Sequence, residues 1–153
     1  MSKSVKGTRT EKNLLAAFAG ESQARNRYTY FAGAARKEGY EQISQIFLET
    51  AENEKEHANL FFKFLEGGEA EITEGYPAGV IGDTKANLEA SADGELHEWT
   101  TIYSDFSNVA KDEGFDEIAR TFEQVAKVEK YHEARYRALI KNIVNNEVFA
   151  KKT

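Results

Sequence analysis

The 153-residue sequence has no cysteine, a single proline and no long uninterrupted run of apolar residues. Without thiolates the chain cannot form a disulfide, an iron–sulfur cluster or a four-cysteine iron site, so any metal must be held by oxygen and imidazole. The N-terminal residues lack the apolar segment of a signal peptide, and no later segment approaches the roughly 18 apolar residues of a membrane span. These absences predict a soluble cytoplasmic protein.

Positive charge is scarcer than negative charge. The chain has 20 Lys and Arg against 26 Asp and Glu, which gives a formal net charge of -6 and a pI near 5.2. Such an acidic chain presents no electrostatic footprint for nucleic acid or for an anionic membrane surface, and we expect neither as a partner. The length suits one domain over residues 1–153, and the lone proline suits long helices around a core.

Apolar residues recur at helical spacing in four segments, which predicts an all-α four-helix bundle. Thr8 and Glu11 have the spacing of a capping box at the start of the first segment. Gly39 and Gly114 are suited to the left-handed conformation that ends many helices. We therefore place helices at about residues 8–38, 41–66, 84–113 and 116–145.

A long connection separates the second and third predicted helices. Residues 67–83 contain five glycines and Pro77, the only proline, and show no sustained periodicity. Fully extended, this segment reaches roughly 55 Å, whereas a helix over residues 41–66 is only about 39 Å long. We therefore expect two helical hairpins joined by a crossover along the whole bundle.

The two predicted hairpins have related sequences. Without gaps, residues 35–65 align with residues 110–140 at an offset of 75, which matches the Glu-x-x-His motif at 54–57 with that at 129–132. Each hairpin alone is too thin to bury its apolar stripe, so we expect each to be stable only against the other. A polar site between the hairpins would follow from this arrangement.

Seven polar residues interrupt the apolar stripes at positions where the helical pattern requires an apolar residue. Within each Glu-x-x-His motif the two side chains lie on one helical face. Measured from Gly39 or Gly114, all seven positions lie within a few residues of one level, so they can converge in the bundle. The seven are Glu21, Glu54, His57, Glu95, Glu98, Glu129 and His132.

A single Glu-x-x-His motif is usually a solvated surface pair, but the combination of seven residues favours a metal site. Burying several carboxylates without compensating charge is costly, and only Arg25 is placed to pair with one of them, Glu21. Two divalent cations would supply the missing charge. The oxygen-rich donor set suits iron or manganese better than zinc, which usually takes fewer carboxylates.

Four further residues are interpreted from their positions. His97 lies two residues after Glu95 and points away from the stripe, which predicts a surface position. Gly94 weakens its helix by roughly 1 kcal/mol relative to alanine, and a close approach of helices beside Glu95 would explain its presence. Tyr28 and Tyr103 lie on or beside the same stripes, where core packing or a hydrogen bond to a ligand carboxylate is expected.

Residues 19–28, the two Glu-x-x-His motifs and residues 94–99 resemble the di-iron domain of rubrerythrins. The resemblance covers nearly the whole chain and implies a ferritin-like fold with two hairpins and a long crossover. Within the ferritin-like group, the Glu95-x-x-Glu98 pair is the feature that distinguishes this family.

The resemblance also implies a role for each candidate ligand. Glu54 and Glu129 would bridge two iron ions, which form an oxo-bridged centre when oxidised, with manganese or zinc as substitutes. Glu95 and His132 would bind one iron, and Glu21 would bind the other. On reduction this second iron would exchange one ligand for another, Glu98 for His57.

The implied reaction is the two-electron reduction of hydrogen peroxide to water in oxidative-stress defence, with His57, Glu98, Tyr28 and Tyr103 as catalytic residues. Electrons would come from a rubredoxin-type donor, linked to NADH in the family. Rubrerythrins typically continue into a C-terminal rubredoxin domain, whereas this chain has no cysteine, so we expect a separate or truncated donor. A homodimer, in some family members with exchanged helices, is also implied.

Two other functions fit parts of the pattern. The ferritin-like framework allows a ferroxidase or iron-storage protein, in which oxygen oxidises iron and the product leaves the site. Glu98 as an additional ligand argues for retention of the metal instead. A metal-free helical interaction protein is disfavoured by the polar interruptions, and metal content separates it from the other two.

Overall fold

The computed structural model describes residues 3–146. Four helical rods run through this part of the chain, which confirms the prediction of an all-α four-helix bundle. The first two rods are α1 Arg9–Lys37 and α2 Glu41–Lys63. The third is composite and consists of α3 Thr84–His97, a π-helical segment Glu98–Ile102 and α4 Tyr103–Asp112. The fourth is α5 Asp116–Val144.

Local sequence sets the ends of α1. The Thr8 hydroxyl accepts a hydrogen bond from the backbone N–H of Glu11 at 3.1 Å, and the Glu11 carboxylate accepts one from the N–H of Gly7 at 3.1 Å. The first turn is therefore capped from both directions. Gly39 after α1 and Gly114 after α4 have φ values of 88° and 86°, the left-handed conformation that glycine adopts without a steric cost.

The second helix is shorter than predicted, because α2 ends at Lys63 and not near Glu66. Gly67 has a φ of 93°, which turns the chain away from the helical path. The Glu66 carboxylate accepts hydrogen bonds from the Val5 backbone N–H at 2.8 Å and from the Ser4 hydroxyl at 2.7 Å. These contacts with the N-terminal segment take the place of a last helical turn.

Two apolar clusters fill the bundle, one towards each end. Both take side chains from all four rods, so each cluster joins the two hairpins. The first cluster is built around Phe31, Phe47, Leu88 and Tyr136. The second is built around Leu14, Phe61, Tyr103 and Phe122. On every rod the predicted polar positions fall between the residues of these clusters, so a polar layer crosses the middle of the bundle.

At each end of the bundle, a glutamate of one hairpin accepts hydrogen bonds from the first turn of a helix in the other hairpin. The Glu38 carboxylate accepts hydrogen bonds from the backbone N–H and the hydroxyl of Thr84 at 3.0 and 2.9 Å. The Glu113 carboxylate accepts hydrogen bonds from the N–H groups of Arg9 and Thr10 at 3.2 and 2.8 Å. We call these contacts the end clasps; they satisfy N–H groups that a helix start leaves free.

The connection between α2 and α3 runs along the bundle, as predicted. The helix α2 ends beside the N-terminal segment, whereas α3 begins at the opposite end, beside the last residues of α1. Along the way the Tyr76 hydroxyl donates a hydrogen bond to the Ala16 carbonyl of α1 at 2.7 Å. Among residues 3–146, no helix has both the length and the apolar character needed to cross a membrane.

Candidate metal centre

The polar layer contains four carboxylates that are removed from solvent. Glu21 of α1, Glu54 of α2, Glu95 of α3 and Glu129 of α5 are each 0% exposed. Each rod places its carboxylate on the inward stripe, one or two turns from the nearest buried apolar residues. Four elements far apart in sequence therefore deliver one buried acid each to the same layer.

A first group of donor atoms gathers around His57. Its Nδ1 lies 2.9 Å from Glu21 Oε1, 3.2 Å from Glu129 Oε1 and 3.6 Å from Glu54 Oε2. One donor atom from each of these four residues lies within 4.8 Å of the others. This is the spacing of ligands around a single metal ion.

A second group gathers around His132 in the same way. Its Nδ1 lies 3.2 Å from Glu54 Oε1 and 3.6 Å from both Glu95 Oε2 and Glu129 Oε1. Donor atoms of these four residues also lie within 4.8 Å of one another. Glu54 and Glu129 belong to both groups, so the two groups share a pair of carboxylates.

The chemistry of the donors fits two divalent cations. At least one oxygen of each of the four buried carboxylates has no hydrogen-bond partner among residues 3–146. The Nδ1 of His132 also has none there. Buried polar atoms without partners are costly, and such atoms in one layer indicate a bound group that satisfies them. Carboxylate oxygen with imidazole nitrogen is a donor set that iron accepts readily, so this cluster could bind two iron ions.

Crowding of like charges shifts the acidity of the layer. Burial, followed by the negative charge of Glu21, raises the pKa of Glu54 and of Glu129 well above the ordinary value. Burial alone would raise the pKa of Glu95 too, but its interactions with Glu129 and His132 and the hydrogen bond from Tyr28 lower it below that value. Two bound cations would reverse the repulsion that raises the first two.

Glu98 lies at the edge of this layer and not within either donor group. Its side chain is half-buried at the start of the π-helical segment, and the Tyr103 hydroxyl donates a long hydrogen bond to its Oε2 at 3.4 Å. Burial and the charges of Glu21 and Glu95 raise its pKa well above the ordinary value. Six of the seven predicted ligands thus lie in the two groups, and a ligand role for Glu98 stays a prediction.

Tyrosine hydroxyls contact the layer from both apolar clusters. Tyr28 donates a hydrogen bond of 2.6 Å to Glu95 Oε1, and Tyr103 contacts Glu98. Tyr136, which the sequence analysis did not single out, packs edge-on to the Tyr28 ring at a centroid distance of 5.6 Å. Burial and neighbouring carboxylates raise the pKa of all three tyrosines, so they hold their protons at neutral pH.

Asn53 is a second residue that the sequence analysis missed. Its Oδ1 lies 2.9 Å from His132 Nε2. Because this oxygen can only accept, the hydrogen lies on Nε2 and the free electron pair of Nδ1 faces the carboxylates. No periodic pattern marks Asn53, since it lies one residue before Glu54 and outside the apolar stripe.

Two expectations about neighbouring residues are wrong, and one holds. Arg25 is exposed and does not pair with Glu21, whose Oε1 contacts His57 instead. A Cβ added to Gly94 would meet no heavy atom within 4 Å, so close helix packing does not explain this glycine. His97 is exposed, as predicted.

Comparison with known proteins agrees with this geometry. The rubrerythrin family model matches residues 12–140. The chain is 60% identical over 151 residues to a rubrerythrin of Porphyromonas gingivalis, which covers 99% of this chain and 76% of that protein. It is 57% identical over 149 residues to a rubrerythrin of Nitratidesulfovibrio vulgaris, which covers 97% of this chain and 78% of that protein.

A solved structure extends the comparison to the fold. Nigerythrin in a mixed-valence state superposes with a TM-score of 0.79 and 34% sequence identity, over 94% of this chain and 72% of that one. The expected ferritin-like arrangement of two hairpins and a crossover is confirmed.

Proposed function

The chain belongs to the rubrerythrin family of ferritin-like di-iron proteins, and we propose that it is a non-haem peroxidase that reduces hydrogen peroxide to water. The observation that carries the proposal is the sharing of Glu54 and Glu129 between two donor groups. Shared carboxylates would hold two metal ions side by side, and two ferrous ions could together supply the two electrons that the reaction consumes. The balanced reaction takes one peroxide, two electrons and two protons to two water molecules.

Each donor group would bind one metal ion. Glu54 and Glu129 would give oxygens to both ions, Glu95 and His132 would complete one site, and Glu21 with His57 the other. The bound iron ions would supply one electron each. Manganese or zinc would fit the same donors, but zinc has no redox chemistry and would not supply those electrons.

His57 and Glu98 are proposed to alternate at the site that Glu21 serves. The position of His57 within the first donor group, with Glu98 at its edge, supports this proposal. A neutral imidazole suits the lower charge of reduced iron, whereas a carboxylate suits the higher charge of oxidised iron. Exchange of one for the other would keep the charge of the site balanced during turnover.

The tyrosines are proposed to orient ligands and to hold protons. Tyr28 donates to Glu95 Oε1 at 2.6 Å, which fixes the direction of that carboxylate. Tyr103 is hydrogen-bonded to Glu98, the residue proposed to move. Because both hydroxyls keep their protons at neutral pH, they can donate hydrogen bonds throughout the reaction.

A rubredoxin-type electron donor and a cytoplasmic homodimer complete the proposal. Support for the dimer comes from an apolar patch on α1 and α2, where Phe62 is 54% exposed and its ring lies 4.9 Å from that of Phe18. Leu48, nearly four turns earlier on the same side of α2, is also exposed. Apolar patches of this kind mark contact surfaces, and a second copy would bury them, with or without exchanged helices.

The function is tested by loading the chain anaerobically with ferrous iron and mixing it rapidly with hydrogen peroxide or oxygen. We expect two irons per chain and much faster oxidation by peroxide, followed through the absorbance of the ferric product. A His57→Ala variant should slow this reaction, because it removes a donor from the first group. Glu56→Gln, an exposed change on the same helix, is the matched control.

Two results would contradict the proposal. Preference for oxygen, with iron accumulating beyond two per chain, would indicate a ferroxidase or storage protein. Failure to retain iron would remove the metal site altogether. Unchanged peroxide kinetics in His57→Ala would refute the ligand exchange alone.

A further inference from the structure

A small cavity opens between α1 and the composite rod, beside the metal centre. Its volume is about 150 Å³, and a water molecule takes about 30 Å³ in the liquid, so it holds only a handful of water-sized molecules. Its walls come from α1, from the composite rod and from residues of the crossover. We call it the Tyr76 cavity.

The inner wall of the Tyr76 cavity reaches the edge of the polar layer. Glu98 and Tyr103, which are hydrogen-bonded to each other, form part of this wall. Gly20 and Gly94 form another part, and each directly precedes a buried carboxylate, Glu21 in α1 or Glu95 in α3. A molecule in the cavity therefore lies beside Glu98 and against the two glycines that precede Glu21 and Glu95.

The outer wall is supplied by the crossover. Tyr76 lines the cavity and is 38% exposed, so its side chain borders both the cavity and solvent. The hydrogen bond from its hydroxyl to the Ala16 carbonyl, 2.7 Å, fastens the ring to α1. Its Cε1 would lie 3.6 Å from a Cβ on Gly20, so the ring rests directly against that glycine.

Gly94 leaves part of the cavity wall without a side chain. A Cβ at this position would meet nothing within 4 Å, and so would project into free space. Gly94 lines the cavity, which accounts for a helical glycine that close packing does not explain. Glycine at this position lowers the stability of the helix, but it leaves free space beside Glu98.

Building on the proposed peroxidase function, we propose that the Tyr76 cavity is the route by which hydrogen peroxide reaches the metal centre, and that the Tyr76 ring sets the size of hydroperoxide admitted. A molecule as small as peroxide fits beside the ring. An alkyl hydroperoxide must displace the ring and break its hydrogen bond to Ala16. Tyr76 is thus a specificity-determining residue supplied by the crossover.

The first test compares two oxidants on the ferrous-loaded chain. An organic hydroperoxide takes two electrons and two protons to give an alcohol and water, so tert-butyl hydroperoxide undergoes the same two-electron reduction with a larger molecule. We expect Tyr76→Ala to raise the rate ratio of tert-butyl hydroperoxide to hydrogen peroxide by about tenfold, the scale of discrimination by pocket size. Tyr76→Phe keeps the ring and should leave most of the discrimination intact.

The second test needs no turnover and uses the absence of cysteine. In the manganese-loaded chain, Gly94→Cys places a unique thiol in the cavity, and Gly33→Cys places one on the exposed surface of α1, where a Cβ also meets nothing within 4 Å. Labelling is followed by mass spectrometry with methyl methanethiosulfonate and with fluorescein maleimide. We expect the thiol at position 94 to react with the small reagent and to resist the large one, and Tyr76→Ala to remove this resistance.

The outcomes separate this inference from the proposed function. Equal labelling of positions 94 and 33 by the large reagent overturns the size limit, even if Tyr76→Ala fails to fold. An unchanged oxidant ratio in a folded Tyr76→Ala protein overturns it as well. If the wild-type chain does not react with hydrogen peroxide but the Gly94→Cys chain shows size-selective labelling, the peroxidase proposal fails while the size limit at Tyr76 stands.

Discussion

Asn53 determines which nitrogen of His132 faces the carboxylates. By accepting the hydrogen of Nε2 at 2.9 Å, it leaves the Nδ1 electron pair directed at Glu54, Glu95 and Glu129. Without such a partner, a histidine ring is neither oriented nor polarised before the metal binds, and its affinity for the metal is lower. Asn53 thus prepares the second donor group without contributing an atom to it.

Replacing Asn53 with alanine is expected to weaken metal binding to the second donor group by about 10- to 100-fold, the usual effect of losing such a partner. Asn53→Asp keeps an acceptor and should restore most of the affinity. The measurement is an anaerobic titration with manganese or ferrous iron. Asn59→Ala, an exposed change on the same helix, serves as the control. Equal affinity in all four proteins would show that His132 needs no partner.

The contrast between Glu129 and Asn53 shows which residues a sequence reveals. Glu129 interrupts an apolar stripe, so periodicity alone marks it as anomalous. Asn53 and Tyr76 lie where polar or aromatic residues are ordinary, and their importance arises from contacts across the bundle. Gly94 was visible as an anomaly, but only the space around it shows that it borders a cavity.

At the scale of elements, the sequence predicts the ends of the first and third rods but not the π-helical interior of the third. Gly39 and Gly114 have the positive φ that their positions at the ends of stripes imply. The π-helical segment Glu98–Ile102 has no counterpart in the apolar spacing, which predicts a regular helix over 84–113. A π turn widens the helix and turns the residues around it relative to the layer, so Glu98 lies at the edge while Glu95 lies inside.

The end clasp at Glu113 predicts a loss of stability in acid. Partial burial would raise the pKa of Glu113, but hydrogen bonds from Thr10 and Arg9 outweigh it and lower the pKa. A lowered pKa means that the clasp contributes fully above the unfolded-state value of about 4.3 and is lost as pH falls through the folded-state value. We expect Glu113→Ala to cost about 1 kcal/mol at pH 7.

Chemical denaturation of Glu113→Ala and the wild type between pH 7 and about pH 3 measures this effect. The difference in unfolding free energy should shrink as the pH falls, since protonation removes the same contact from the wild type. Glu56→Ala, an exposed change within α2, should show no such convergence. A difference that stays constant with pH would mean that Glu113 acts through packing and not through its charge.

At the scale of the whole molecule, the polar layer opposes the two apolar clusters that surround it. Four carboxylates with 0% exposure and unpartnered oxygens stand where apolar side chains would stabilise the bundle. Natural proteins often carry such destabilising buried groups at functional sites. Neutralising this buried charge, for example with a bound cation, should therefore stabilise the bundle.

Metal binding should raise the melting temperature substantially. At a free metal concentration of 100 times Kd, one site adds about 2.7 kcal/mol, which is roughly 5–10 °C for a chain of this size. Scanning calorimetry of the metal-free and manganese-loaded chain measures the shift. Addition of a chelator should reverse it.

Glu129→Gln provides the informative comparison. The amide carries no charge into the layer, so the metal-free variant should melt above the metal-free wild type at pH 7. Loss of a shared ligand should also abolish the rise on adding manganese. A variant that is less stable without metal, yet stabilised by it as strongly as the wild type, would contradict this account of the layer.

The dispersal of the ligands over all four rods has a consequence for synthesis. A ribosome delivers the chain from its N-terminus, and α5 emerges after the other three rods. Until then the nascent chain carries Glu21, Glu54 and Glu95 without Glu129, which both donor groups share. Both donor groups are therefore complete only in a chain whose four rods have all been made.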